Sequence, residues 1–168
     1  MYETNRLILR KAVFSDWEQM YRNIWCHEET ARYMLWRVTE SEAAAQERME
    51  RTIAFQQSHH AWLVIDKESG EAIGFAGLRE ESGVCEDTGI AVGPRYVGKC
   101  YGTEILNELV RIAKEGLNAH GFIATCRSEN EASRKMILGC GFRFSHAEPR
   151  VDKRNGEKYT LEFYRKEL

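Results

Sequence analysis

A chain of 168 residues, 43% hydrophobic and 30% charged, can bury one compact core and leaves little material for a second, so one domain over residues 1–168 is expected. Its 24 Lys and Arg stand against 26 Asp and Glu, a formal charge of -2, which argues against a nucleic-acid coat or a polybasic membrane anchor. Met1 to Arg10 interleave charged and apolar residues, without the continuous apolar run of a secretory leader or membrane span, so the expectation is a cytoplasmic protein with no membrane partner.

In chain order, Thr4 to Lys11 alternates as a partly buried strand would, with Leu7 and Leu9 on one side. Ser15 and Asp16 offer an N-cap, and Trp17, Met20, Tyr21 and Ile24 recur at helical spacing up to about Trp25; Glu28 to Tyr33 adds a short turn. Ser41 to Ser58 reads as a helix with one apolar side. Ala61 to Asp66 and Ala72 to Leu78 form a hairpin around Lys67 to Glu71, and Thr88 to Val92 is a further strand. A Gly-rich segment leads into a helix from about Tyr101 to Asn118, then a strand at Phe122 to Cys126 and a helix at Glu131 to Leu138. Late strands lie near Phe142 to His146 and Tyr159 to Arg165, and Arg150 to Arg154 reads as a solvated hairpin. This order specifies an α/β (α+β) domain with a mixed, mostly antiparallel sheet. The five cysteines are odd in number and form no C-x-x-C pair, so neither a disulfide framework nor a metal site is expected.

Between Gly89 and Gly102 an apolar strand passes through a Gly-rich turn into a helix striped by Ile105, Leu109, Ile112 and Ala113. Gly98 and Gly102 allow close backbone approach, and the free N–H groups at a helix start attract phosphate oxygens; Lys99 adds a positive charge. Gly93 to Lys99 also spells G-x-x-x-x-G-K, but a nucleotide-binding P-loop needs Ser or Thr next, and Cys100 is a poor ligand for magnesium. Further on, Asn130 and Ser133 stand three apart at the start of a short helix, and Gly141 closes it before Phe142. By themselves these two are as well explained by helix capping as by ligand binding.

The segment Val97-Gly-Lys-Cys-Tyr-Gly102 resembles the acetyl-CoA pyrophosphate loop of the GNAT superfamily, Q/R-x-x-G-x-G/A, with Val97 and Cys100 departing from it. The N-x-x-S and G-F of Asn130 to Phe142, with the opening T-N-R-L-I-L-R and Glu29 to Trp36, resemble its ribosomal-protein N-terminal acetyltransferase branch. That resemblance implies a GNAT fold with helices on both faces of the sheet. It also implies acetyl-CoA as co-substrate, no metal, and an amine acceptor that is a protein N-terminus or a small molecule.

Carried over residue by residue, it implies that the main-chain amides of Gly98, Lys99, Cys100, Tyr101, Gly102 and Thr103, beside Val97, hold the pyrophosphate. The strand at Ile90, Ala91 and Val92 would take the pantetheine arm and donate to an oxyanion, and Asn130 would bind that arm. Relatives that protonate the thiolate with a Tyr carry it where Ile137 stands here, which leaves Ser133 as the local acid, with Tyr164 or Tyr159 as alternatives. Asp87 or Glu86 would be the base. Acceptor binding would fall on Trp25 to Arg37, with Met34 and Trp36 as pocket wall. A coenzyme A sensor without turnover is the competing expectation, and monomer and homodimer are equally compatible with the sequence.

Overall fold

The computed structural model describes residues 1–168. Its strands are β1 (Tyr2–Glu3), β2 (Leu7–Arg10), β3 (His60–Asp66), β4 (Ala72–Glu81), β5 (Val84–Val92), β6 (Gly121–Arg127), β7 (Arg143–Val151) and β8 (Lys158–Glu167). Its helices are α1 (Trp17–Met20), which runs on as a wider turn to Trp25, α2 (Glu28–Ala31), α3 (Glu42–Ser58), α4 (Tyr101–Arg111) and α5 (Glu131–Gly139). The strands form one sheet in the order β1-β2-β3-β4-β5-β6-β8-β7, antiparallel except between β5 and β6. No helix is long and apolar enough to cross a membrane.

Successive side chains of a strand point to opposite faces, and both faces are covered. On β3, Trp62 and Val64 enter an apolar cluster with Ile105 and Leu109 of α4. Leu63 and Ile65 enter a second cluster with Met20, Ile24 and Met49. The sheet thus carries α4 and α5 on one face and α1 to α3 on the other, as the resemblance implied. Ser41 caps α3 by accepting from the Ala44 N–H at 3.2 Å.

Several strands exceed their expected bounds. β5 begins at Val84 rather than Thr88, because Glu86 and Asp87 break an apolar pattern that the neighbouring strands nonetheless complete. The last two strands extend into a long hairpin whose outer strand, β7, is almost wholly exposed. Its turn is not simply solvated. Asp152 is only 1% exposed and accepts from Arg127 at 2.6 Å and Arg154 at 2.7 Å.

The feature that positions the site is a fork. β5 and β6 pair only through Val84↔Gly121, Cys85↔Phe122 and Glu86↔Ile123. Beyond Glu86, β5 stays with β4 and β6 stays with β8, so the two strands part and open a cleft in the middle of the sheet. A bulge sits at the same level, where Gly77 opposes Gly89 but Leu78 opposes Asp87, leaving Thr88 without a partner. Gly89 takes φ 126°, and a Cβ on Gly77 would lie 2.5 Å from Thr88 Oγ1, so both glycines are needed for the bulge.

Candidate active site

At the fork, the Thr125 N–H on β6 has lost a β5 backbone partner, and it donates to Asp87 Oδ2 at 2.8 Å instead. The carboxylate therefore sits where the strands separate, facing a cavity of 440 Å³. Desolvation there pushes the Asp87 pKa up to about 7; the Thr125 bond opposes the shift and the charge of Glu86 adds to it. Glu86 lines the same cavity, but its carboxylate is held by Arg79 at 2.6 Å.

Above the fork, the Gly93 N–H donates to Ile73 O at 2.8 Å and Ala91 lies opposite Phe75. Antiparallel pairing alternates, so the N–H groups of Ile90 and Val92 turn away from β4 and into the gap, while that of Ala91 is used in the sheet. A Cβ on Gly74 would come within 2.2 Å of Ala91 O, so that position admits no side chain.

The Gly-rich turn delivers the chain to α4 through two left-handed residues, Gly98 at φ 84° and Cys100 at φ 59°. For Cys100 this conformation costs about 1–2 kcal/mol. Cys100 gives no side-chain cap, and the first helical N–H with a carbonyl partner is that of Glu104, bonded to Cys100 O at 3.2 Å. The N–H groups of Tyr101, Gly102 and Thr103 therefore remain for an anion, and the residues present fit a pyrophosphate through main chain alone. The Tyr101 side chain is turned inward, its hydroxyl donating to Asp66 Oδ1 at 3.0 Å. Val97 is 68% exposed and Lys99 lies by the Tyr96 ring, 5.5 Å from its centre. Arg6 braces the turn, donating to Lys99 O at 3.0 Å and pairing with Glu104 at 2.7 Å. The antiparallel sheet around this turn is unlike that of a P-loop protein.

Asn130 does cap α5, its Oδ1 accepting from the Ser133 N–H at 3.1 Å, which leaves its Nδ2 for a ligand. Asn130 and Ser133 both line the cavity with Asp87. Beside them, burial pushes the Cys126 thiol up to about 11, making it a poor nucleophile. Of the alternative acids, Tyr159 lines the cavity under the Arg127 guanidinium, 3.9 Å from its ring centre. Tyr164 does not line it. Its buried hydroxyl donates to Glu162 at 2.7 Å and is pushed up to about 12, first by burial and then by that bond.

Met34 and Trp36 form part of the opposite wall, with Tyr33 and Phe75. They are held by a contact that the sequence did not reveal. Arg154, at the tip of the β7–β8 hairpin, donates to the carbonyls of Ala31 at 2.9 Å and Trp36 at 2.8 Å, and Arg37 donates back to Arg154 O at 2.7 Å. Asp152 orients Arg154, and Arg154 and Arg127 together hold the Asp152 carboxyl well below the usual carboxylate range. A second cavity, of 370 Å³, lies between α3 and the sheet and shares Trp36, Phe75, Thr88 and Gly89 with the first.

Residues 6–143 match the acetyltransferase (GNAT) domain family. The uncharacterized N-acetyltransferase p20 of Bacillus licheniformis is 27% identical over 147 residues, covering 83% of this chain and 80% of that protein. An acetyltransferase (GNAT family) from Bacillus anthracis superposes with a TM-score of 0.84 at 20% identity, over 98% of this chain and 96% of its own. A spermidine N-acetyltransferase from Vibrio cholerae, in complex with CoA and spermine, does so with a TM-score of 0.77 at 18% identity, over 98% and 96%. With the sheet forked at Asp87 and a helix start stripped of caps beside it, the chain belongs to the GNAT family and is an N-acetyltransferase.

Proposed function

We propose that the chain transfers the acetyl group of acetyl-CoA to a primary amine, on a small molecule or a protein N-terminus, by direct attack of the amine on the thioester carbon through a tetrahedral intermediate. The observation that carries this reading is the Asp87 carboxylate, raised to about 7, placed at the fork between two splayed strands and facing the same cavity as Ser133. A carboxylate with that pKa can take a proton from an ammonium near neutral pH, whereas Glu86 is already neutralised by Arg79.

The N–H groups of Ile90 and Val92 would donate to the oxyanion, the Asn130 amide to the pantetheine arm, and the first turn of α4 to the pyrophosphate. Ser133 would return a proton to the departing thiolate. Met34 and Trp36 would form one wall for the acceptor.

The test is steady-state release of free thiol from acetyl-CoA over a panel of primary amines, with parallel calorimetry of acetyl-CoA binding. Saturable binding with thiol release supports transfer. Saturable binding without release on any amine supports the coenzyme A sensor, the reading kept open by Ile137 in place of a Tyr and by the departures at Val97 and Cys100. No binding overturns both.

A further inference from the structure

Arg48 lies on the face of α3 that packs on the sheet, three residues after the buried Ala45 and one before the buried Met49. Five arginines of the chain are not fully exposed: Arg10, Arg48, Arg127, Arg134 and Arg154. Four of these pair with carboxylates, namely Asp16, Asp152, Glu162 and again Asp152. Arg48 pairs with none. Its guanidinium lies over the Trp25 ring at 4.6 Å and over the Trp36 ring at 4.3 Å, and its one protein hydrogen bond goes to Thr39 Oγ1 at 2.9 Å.

The second cavity ends on this group. Arg48 and Arg51 are its charged residues and no Asp or Glu lines it, while Thr88 and Gly89 of the bulge form its other end. The Trp36 indole N–H is a further buried donor with no partner in the same corner. A half-buried cation against two aromatic rings, with donors to spare and no carboxylate paired to it, is completed most favourably by an anion. The guanidinium edge presents donors in the plane that a carboxylate or phosphate matches. Burial lowers the Arg48 pKa to about 10, so it remains charged at neutral pH.

We infer that the acceptor amine carries an oxyanion group, a carboxylate or phosphate, which the Arg48 guanidinium binds between Trp25 and Trp36 while the amine reaches the bulge at Thr88 and Gly89. This deepens the reading of the preceding section and rests on it for the amine. It selects small amino acids and phosphorylated amines over polyamines, whose second ammonium would face Arg48 with like charge.

The experiment compares matched pairs, β-alanine with propylamine and phosphoethanolamine with ethanolamine, by thiol release from acetyl-CoA. The proteins are wild type, Arg48→Gln, Arg48→Lys and Arg51→Gln. The charged member of at least one pair should be preferred roughly 10- to 100-fold in kcat/KM, chiefly through KM. Arg48→Gln should abolish that preference by slowing the charged amines far more than the neutral ones, with the acetyl-CoA dissociation constant unchanged. Arg48→Lys should restore part of it, and Arg51→Gln should change it by no more than about 3-fold.

Turnover with no preference, or with a preference for neutral amines or polyamines, overturns the inference and leaves acetyl transfer standing. An equal loss on charged and neutral amines in Arg48→Gln also overturns it, since Arg48 would then only hold the two tryptophans in place. If no amine releases thiol, acetyl transfer fails, and calorimetry of β-alanine and phosphoethanolamine decides the matter separately: binding lost in Arg48→Gln keeps the anion site, and no binding to wild type removes it.

Discussion

On the α4 side of the cleft the free polar groups are main-chain N–H groups from one contiguous stretch, Tyr101 to Thr103. On the opposite side they are side chains gathered from α3, the Met34 to Trp36 segment and the β7–β8 hairpin. A wall made of main chain keeps its donors when a side chain changes, so the departures at Val97 and Cys100 leave the free N–H groups of Tyr101, Gly102 and Thr103 in place at the cost of strain at Cys100. A wall made of side chains loses a contact with each substitution. Its specificity is correspondingly easier to change.

The sharpest way to break this comparison is at the fork, which belongs to both walls. Asp87→Asn keeps an acceptor for the Thr125 N–H but removes the base, so kcat should fall by about 100-fold or more. The wild-type rate should rise with pH through about 7, and that limb should vanish in the variant. Folding raises this carboxyl from 3.8 to about 7, so the native state holds the proton more tightly, and wild-type stability is lost as pH rises through that window. Asp87→Asn should therefore melt higher than wild type at pH 8, with the difference shrinking as pH falls from about 7 and gone below about pH 4.

The side-chain wall is tested next. Asp152→Asn removes the counter-charge of Arg127 and Arg154 and should lower Tm by several degrees, on the order of one or two kcal/mol of hydrogen bonding to charged groups lost around the arginines. Because folding depresses the Asp152 pKa, its contribution is present above about pH 4 and fades as pH falls further, so the wild-type and variant melting curves should converge in acid. The same substitution frees the Met34 to Trp36 segment and should raise the acceptor KM more than it weakens acetyl-CoA binding, as calorimetry and initial rates will show.

Smaller effects separate chemistry from binding. Ser133→Ala should lower kcat about 10-fold with the acetyl-CoA dissociation constant within about 2-fold of wild type. Asn130→Ala should do the reverse, weakening acetyl-CoA about 10-fold and costing about 1 kcal/mol of stability through the lost α5 cap. Equal rates in Ser133→Ala and wild type would remove that hydroxyl from the mechanism. The smallest effect is on the main-chain wall. Cys100→Gly relieves a left-handed side chain and should stabilise by up to about 1 kcal/mol in urea unfolding while tightening acetyl-CoA a few-fold.

The order and type of the elements were legible from periodicity and turn chemistry, because those signals are local: Leu7 and Leu9 in a strand, Ile105 and Leu109 on one helical stripe, glycines where the chain reverses. The uncapped start of α4 and the capping pair Asn130 and Ser133 were legible for the same reason, each being written within a few residues. Local patterning thus set the fold class and the family resemblance. It did not place Asp87 at a fork, since strand pairing that stops after Glu86 is a relation between residues far apart. Nor did it show that Arg154 pins the Met34 to Trp36 segment, that Asp152 is buried, or that Arg48 alone among the sheltered arginines lacks a carboxylate. Those facts depend on which charges meet after the helices and the last hairpin close over the sheet. They emerge on folding, because burial and the pairing of remote side chains, rather than residue type, set the energy of a charge.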